Sequence, residues 1–443
     1  MKAIRKWGYI SGDFGISISF FVVSFFFMYY LTDLIGLDPI LAGIAFGIGM
    51  LWDAVSDPIM GLISDKTHSV FGRKRVYVLF GALPLGISFF LLWTIPSAAA
   101  EGVQFLLATI MLLLFKTAYT VVAVPYMSLL PVISSSYDER TQISGMRAFT
   151  SQFGTILGGV SALLVSSFSS EIVGLRTLGI SYGILVAGLM IISAQSVRGL
   201  EKQTVKRKKS ARSRFSVLKE RNYLILVTLY FFGGIATTSM TASFPFFAEH
   251  IMGSESLSTF GLAAFILTAM FFIPLWLALT KRIHKKYLLM VSTAAIALIL
   301  LIMGTTLNED RVILFFLLVS ICGAFMSAYF IIPYSLVPDT VDLSELRTGE
   351  RNESIFFGVW VFIHKLGLAA APVIMGFMMG ALGYDGDLDT QTSSGLLSVR
   401  LTFGILPAVF FIITGLIGLL YGISRKDHME IEMKLKEMGE ETD

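Results

Sequence analysis

Residues 40–64 read ILAGIAFGIGMLWDAVSDPIMGLIS, an apolar run long enough to cross about 30 Å of hydrocarbon and interrupted only by Asp53 and Asp57. A carboxylate in hydrocarbon is too costly to keep without a use, so the pair points to a membrane helix that handles positive charge. Its i, i+4 spacing puts both carboxylates on one helical face, where they can share one small cation or one proton. Asp53 lies twelve residues before Asp65, where the chain turns polar; at about 1.5 Å per residue that is roughly 18 Å. The competing reading, a surface pair that only serves the basic loop that follows, fits Asp57 better than Asp53.

The rest of the chain is of the same kind. Hydrophobic residues make up 55% of the 443 and charged residues 15%, against about 25% charged in an ordinary soluble domain. A water-soluble protein is excluded by so little polar surface. The single Cys322 allows neither a disulfide framework nor a thiolate metal site, and five scattered histidines offer no metal cluster. Residues 1–6 carry basic side chains without a small-residue cleavage site ahead of the first apolar run, so that segment is read as retained.

Membrane-length segments fall at approximately 14–36, 40–64, 76–96, 103–133, 144–169 and 176–197. Six more follow at 222–249, 258–280, 287–306, 311–337, 354–382 and 398–424. The expected fold is therefore an all-α membrane protein with twelve transmembrane helices in two six-helix, pseudo-symmetric halves, residues 1–197 and 222–424. A basic cytoplasmic linker, 198–221, separates them, and a charged tail spans 425–443. Lys2, Arg5, Lys6, Lys66, Arg73, Lys74, Arg75, Arg140, the linker, Lys281, Arg282, Lys285, Lys286, Arg347, Arg351, Arg425 and Lys426 all fall on one side of this topology. The opposite loops hold little beyond Arg176, Arg311 and Arg400. By the positive-inside rule both termini are cytoplasmic, in a cell (inner or plasma) membrane. An internal echo, Pro125-Tyr126-Met127-Ser128-Leu129-Leu130-Pro131 against Pro333-Tyr334-Ser335-Leu336-Val337-Pro338, closes the fourth and tenth segments and fits a repeat.

The loop Gly61-Leu62-Ile63-Ser64-Asp65-Lys66 through Gly72-Arg73-Lys74-Arg75 resembles the signature between the second and third helices of the major facilitator superfamily. That resemblance implies a gating clamp of Asp65, Arg73 and Lys74, whose charge-assisted contacts form in one conformation and release in another. Within the superfamily the chain resembles the glycoside-pentoside-hexuronide:cation symporters over nearly its whole length. The carriers are Met28 to Asp33, Trp52 to Pro58, Tyr119-Thr120, Pro125-Tyr126, Arg147, Pro338 to Asp342, Arg347 to Gly349 and Lys365 to Gly367. The resemblance implies that Asp53 and Asp57 bind the coupling cation, Na+ or H+, and that the Thr120 hydroxyl completes the site. It also implies that Arg147 and Lys365 line or close a sugar cavity. His364 and Trp360, near Lys365, are candidates for the same wall, against the plainer reading of core or lipid-facing packing.

Departures from the family narrow the substrate. Where its melibiose-carrying members have an adjacent lysine and aspartate, this chain has Ile16 and Ser17, and a second sugar-binding aspartate is replaced by Ala123. Losing both carboxylates argues against melibiose itself. Asp13 lies one turn too early and reads as a helix-entry residue. Lys116, four residues before Thr120, shares its face. It either reaches the aspartate pair as a built-in cation, weakening sodium dependence, or joins Arg147 and Lys365 toward an anionic substrate such as a hexuronide or sulfonated sugar.

The expected activity is cation-coupled symport by alternating access, carried out by a monomer in the lipid bilayer with a small molecule, a sugar, as substrate and no nucleic-acid partner. No cofactor is called for. A lysophospholipid symporter is the nearest alternative, since the run Glu353 to Lys365 also resembles sodium-dependent lysophospholipid symporters. An enzyme is disfavoured, because no nucleophile motif, metal-ligand spacing or phosphate-cradling loop is present.

Overall fold

Asp38 shows how sharply a helix is started here: its Oδ1 accepts from the backbone N–H groups of Ile40 and Leu41 at 2.8 and 3.3 Å, and Pro39 fills the first helical position. The helix it caps, Pro39–Lys66, carries the aspartate pair. The computed structural model describes residues 3–133, 137–201, 220–254, 256–348, 353–388, 390–423, 427, 429–431, 433 and 434. Residues 202–219 of the expected linker, Arg351, and Arg425 with most of the tail lie outside the described residues.

All regular structure among the described residues is helical. The first half of the chain forms α1 (Ala3–Tyr29), α2 (Pro39–Lys66), α3 (Arg75–Leu91), α4 (Glu101–Met127), the short α5 (Leu130–Ile133), α6 (Tyr137–Gly159), α7 (Ser161–Ser166) and α8 (Glu171–Ser196). The second half forms α9 (Arg221–His250), α10 (Ser256–Thr280), α11 (Lys285–Thr306), α12 (Val312–Thr348), α13 (Glu353–Ala381), α14 (Ser393–Arg400) and α15 (Leu406–Leu419). A π-helical turn, Tyr30–Leu34, continues α1, and another, Leu401–Ile405, joins α14 to α15. Eleven helical stretches among the described residues are long and apolar enough to cross a membrane, and α3 is a shorter apolar helix at the third expected span.

The contacts gather into two units. One comprises the described residues of Met1–Lys206, Thr241–Ala263 and Pro372–Val399; the other those of Arg207–Met240, Ala264–Ala371 and Arg400–Asp443. In the first unit α1 packs on α6 and α8, α2 on α4, and α3 on α4 and α8. In the second α11 packs on α12 and α15. Close approach depends on absent side chains. A Cβ at Gly49 would fall 2.3 Å from the Leu112 side chain, and one at Gly86 would fall 2.4 Å from the Gly183 carbonyl. Gly49 is one turn before Asp53, so it brings α4 against the charged face of α2.

Two boundaries differ from the apolar pattern. Helix α1 begins at Ala3 rather than near residue 14, because its polar residues find partners: Lys6 Nζ lies 2.8 Å from Gln142 Oε1 and 3.3 Å from Glu139. Asp13 is therefore ten residues inside a helix, not at its entry, and it is 9% exposed. The expected span 144–169 is divided, α6 ending at Gly159 and α7 running only from Ser161 to Ser166.

Candidate cation and substrate site

The α2–α4 contact brings the aspartate pair and Thr120 together. Thr120 Oγ1 donates to Asp57 Oδ1 at 2.8 Å and lies 3.5 Å from Asp53 Oδ1. Ser56 Oγ, between the two aspartates in sequence, is 3.1 Å from the same hydroxyl. Asp53 and Thr120 are each 2% exposed. Four oxygens of two carboxylates and two hydroxyls thus converge in a buried place, an all-oxygen donor set that suits a hard monovalent cation or a proton. Ser56 was missed in the sequence reading; its position one residue before Asp57 was the available signal.

One turn from Thr120 on α4, Lys116 is 1% exposed, with Nζ 4.9 Å from the Phe20 ring centre and 5.8 Å from that of Tyr119. Its ammonium is held against aromatic faces that favour a cation. Ser17 Oγ is 2.6 Å from Ser151 Oγ and so joins α1 to α6. Arg147, one turn earlier on α6, grips Asp13: Nε lies 2.9 Å from Oδ2 and Nη2 3.0 Å from Oδ1. Tyr126 donates to the same carboxylate at 2.5 Å, and the guanidinium sits 4.9 Å from the Tyr126 ring centre. A bidentate pair with so many contacts is a built element, not a long side chain reaching for water. The Asp13 partnership was invisible in the sequence, because 134 residues separate the two.

In the second unit, α13 carries Trp360 and, one turn later, the adjacent His364 and Lys365. Trp360 is fully buried, with the Tyr230 ring stacked on it at 4.0 Å and Tyr334 edge-on at 4.6 Å. The His364 ring stacks on Tyr230 at 3.9 Å, and its Nδ1 lies 3.0 Å from the Tyr230 carbonyl, a geometry in which Nδ1 carries the proton. Tyr230 therefore covers the Trp360 face that the sequence reading offered to a sugar ring.

The described chain matches the family model "MFS/sugar transport protein" over residues 8–425. It belongs to that family, within the major facilitator superfamily. It is 27% identical to the inner membrane symporter YicJ of Escherichia coli, over 94% of this chain and 91% of the relative. It is 26% identical to the isoprimeverose transporter of Lactiplantibacillus pentosus, over 95% and 89%. A third relative, the sodium-dependent lysophosphatidylcholine symporter 1 of Gallus gallus, is 27% identical over 95% of this chain and 86% of its own. Among solved structures, a D-xylose-proton symporter superposes with a TM-score of 0.71 at 11% identity, covering 96% of this chain and 98% of that one, a likeness of fold. The chain is a multi-pass transporter of the major facilitator superfamily.

In this MFS/sugar transport protein the loop between α2 and α3 carries a buried lysine. Lys74 Nζ is 3.4 Å from Asp65 and donates to the Ser128 carbonyl at 3.1 Å. Burial pushes its ammonium below the usual lysine range, and the Asp65 charge opposes that shift. Glu201 accepts from the Lys74 backbone N–H at 2.8 Å, at the amino end of α3. Arg73 lies on the same loop and, with Asp65, His68, Arg75, Arg198 and Glu201, lines a cavity of about 810 Å³. The second unit repeats the lysine: Lys285, at the start of α11, donates to the Ser335 carbonyl at 2.9 Å and to Asp339 at 2.7 Å. Ser128 and Ser335 fall in the two copies of the internal echo, three residues before Pro131 and three before Pro338, so the repeat extends from sequence to contact.

Proposed function

We propose that this chain is a cation-coupled symporter of a glycoside, working by alternating access between its two six-helix halves with both termini cytoplasmic. The observation that carries the reading is the Thr120 hydroxyl aimed at both Asp53 and Asp57. An alkali cation held by these oxygens, or a proton on one carboxylate, would neutralise charge in the membrane interior and lower the cost of closing the protein around substrate.

Charge counting favours a single coupling ion. Asp13, Asp53 and Asp57 on α1 and α2, counted against Lys116 on α4 and Arg147 on α6, leave a formal excess of one negative charge that one monovalent cation would remove. The charge for an anionic glycoside, such as a hexuronide or sulfonated sugar, is assigned to Lys365, and Ser17 to a neutral hydroxyl contact. Asp65, Arg73 and Lys74 are assigned to the cytoplasmic gate. The test is uptake of radiolabelled glucuronide, sulfonated sugar and neutral disaccharide into vesicles with sodium and pH gradients imposed separately. Gradient-driven accumulation of the glucuronide or sulfonated sugar, lost in Asp57→Cys, supports the reading; undiminished accumulation in that variant removes the pair from coupling. A second reading, lysophospholipid symport, is favoured by the match to the Gallus gallus relative. It replaces the first if a lysophospholipid is carried and no sugar is.

A further inference from the structure

At the far end of α1 from the aspartate pair, three distant stretches of the first unit meet around a second charged cluster. Asp33 Oδ1 is 3.0 Å from His250 Nε2. The Tyr384 hydroxyl donates to Asp33 Oδ1 and is 2.7 Å from His250 Nε2, while Thr32 Oγ1 donates to the other Asp33 oxygen at 2.5 Å. Glu249, next to His250, offers a carboxylate oxygen, and one ligand atom from each of Asp33, Glu249 and His250 falls within 4.8 Å of the others. The side chains of Asp33 and His250 are 6% and 10% exposed.

Two features of this cluster remain unexplained by hydrogen bonding. Glu249 Oε2 and Glu171 Oε2 are buried and have no hydrogen-bond partner among the described residues. Glu171 is within electrostatic reach of both Glu249 and Asp33. Asp33 and Glu249 therefore flank one imidazole, with Glu171 close behind them; Tyr29 hydrogen-bonds to Glu249, yet one oxygen each of Glu249 and Glu171 still lacks a donor. A buried surplus of negative charge with orphaned acceptors calls for a cation.

We propose that Asp33, Glu249 and His250 form a site for a divalent transition-metal ion of the Zn2+ type, separate from Asp53 and Asp57. The donor set of one imidazole nitrogen and two carboxylate oxygens is the kind such ions prefer over alkali ions. Ligands at about 2.0–2.2 Å from a tetrahedral ion lie roughly 3.4 Å apart. The 3.0 Å separation of Asp33 Oδ1 and His250 Nε2 is close to that edge, and the 4.8 Å limit asks only small rotations of Glu249. The Tyr384 hydroxyl or a water takes the fourth position. A bound ion would tie the end of α1 to the end of α9 and draw in the turn after α13, stabilising the arrangement seen here.

The probe is Co2+, titrated into the purified full-length transporter in nanodiscs and followed by its visible absorption, with Zn2+ as competitor. The expected result is one saturable site with imidazole-type bands, displaced by Zn2+ and absent in His250→Ala. Glu249→Gln, which keeps the side chain's size, weakens it at least tenfold, whereas Asp57→Asn leaves it unchanged. Scanning fluorimetry confirms that each variant is folded; where His250→Ala is not, Glu249→Gln decides. Absence of a saturable Co2+ site, or the same titration in Glu249→Gln as in the unaltered chain, overturns the proposal and leaves protons as the cluster's neutralising charge.

Discussion

Replacing Thr120 by valine keeps the volume and branching of the side chain and deletes one hydroxyl. That hydroxyl donates to Asp57 at 2.8 Å, is 3.5 Å from Asp53 and contacts Ser56 at 3.1 Å. At 2% exposure no solvent is at hand to replace it. A hydrogen bond to a charged group contributes about 1.5–3 kcal/mol, and each 1.4 kcal/mol is roughly tenfold in affinity. In the symport reading the same oxygen is also a cation ligand. The half-saturating concentration of whichever ion drives uptake, Na+ or H+, should therefore rise roughly ten- to a hundredfold in Thr120→Val. Thr120→Ser should restore it. The assay is initial uptake rate into vesicles against ion concentration at fixed substrate, on protein whose thermal unfolding matches that of the unaltered chain. A half-saturating concentration that stays within twofold in Thr120→Val would refute the assignment of this oxygen to the coupling site.

Other substitutions probe the packing that builds the site. Asp13→Asn leaves the Arg147 guanidinium buried without its anion; breaking such a pair costs about 3–5 kcal/mol, seen as a lower unfolding temperature, and Arg147→Gln combined with it should cost less than the two single changes added together. Gly49→Val would drive a side chain into Leu112 and push α4 from α2, so ion-coupled uptake should fall while Leu112→Ala in the same chain recovers part of it. Lys116→Gly should increase sodium dependence if the lysine acts as a built-in cation; unchanged sodium dependence assigns it elsewhere.

Much of the fold was legible because lipid imposes a strong rule: long apolar runs must be helices that satisfy their own backbone. The runs, their number and the two aspartates could thus be read along the chain. Helix ends were less legible, since polar residues such as Lys6 and Asp13 stay helical when a partner on α6 receives them. The i, i+4 spacing showed that Asp53 and Asp57 share a face, and the family resemblance indicated Thr120. It could not show Ser56 as the fourth oxygen.

What the sequence by itself determined was therefore local or periodic: membrane helices, and two carboxylates spaced to share one helical face. Tertiary structure decided which charges are already answered. Arg147, a candidate for the cavity wall, holds Asp13 in its fork, and Trp360, a candidate either for that wall or for core packing, has Tyr230 stacked upon it. Asp33, Glu249 and His250 carried little signal apart, because the last two lie more than two hundred residues from the first. The physical reason is the same in each case. The cost of a buried charge or ring depends on its neighbours in space, and only folding brings those neighbours together.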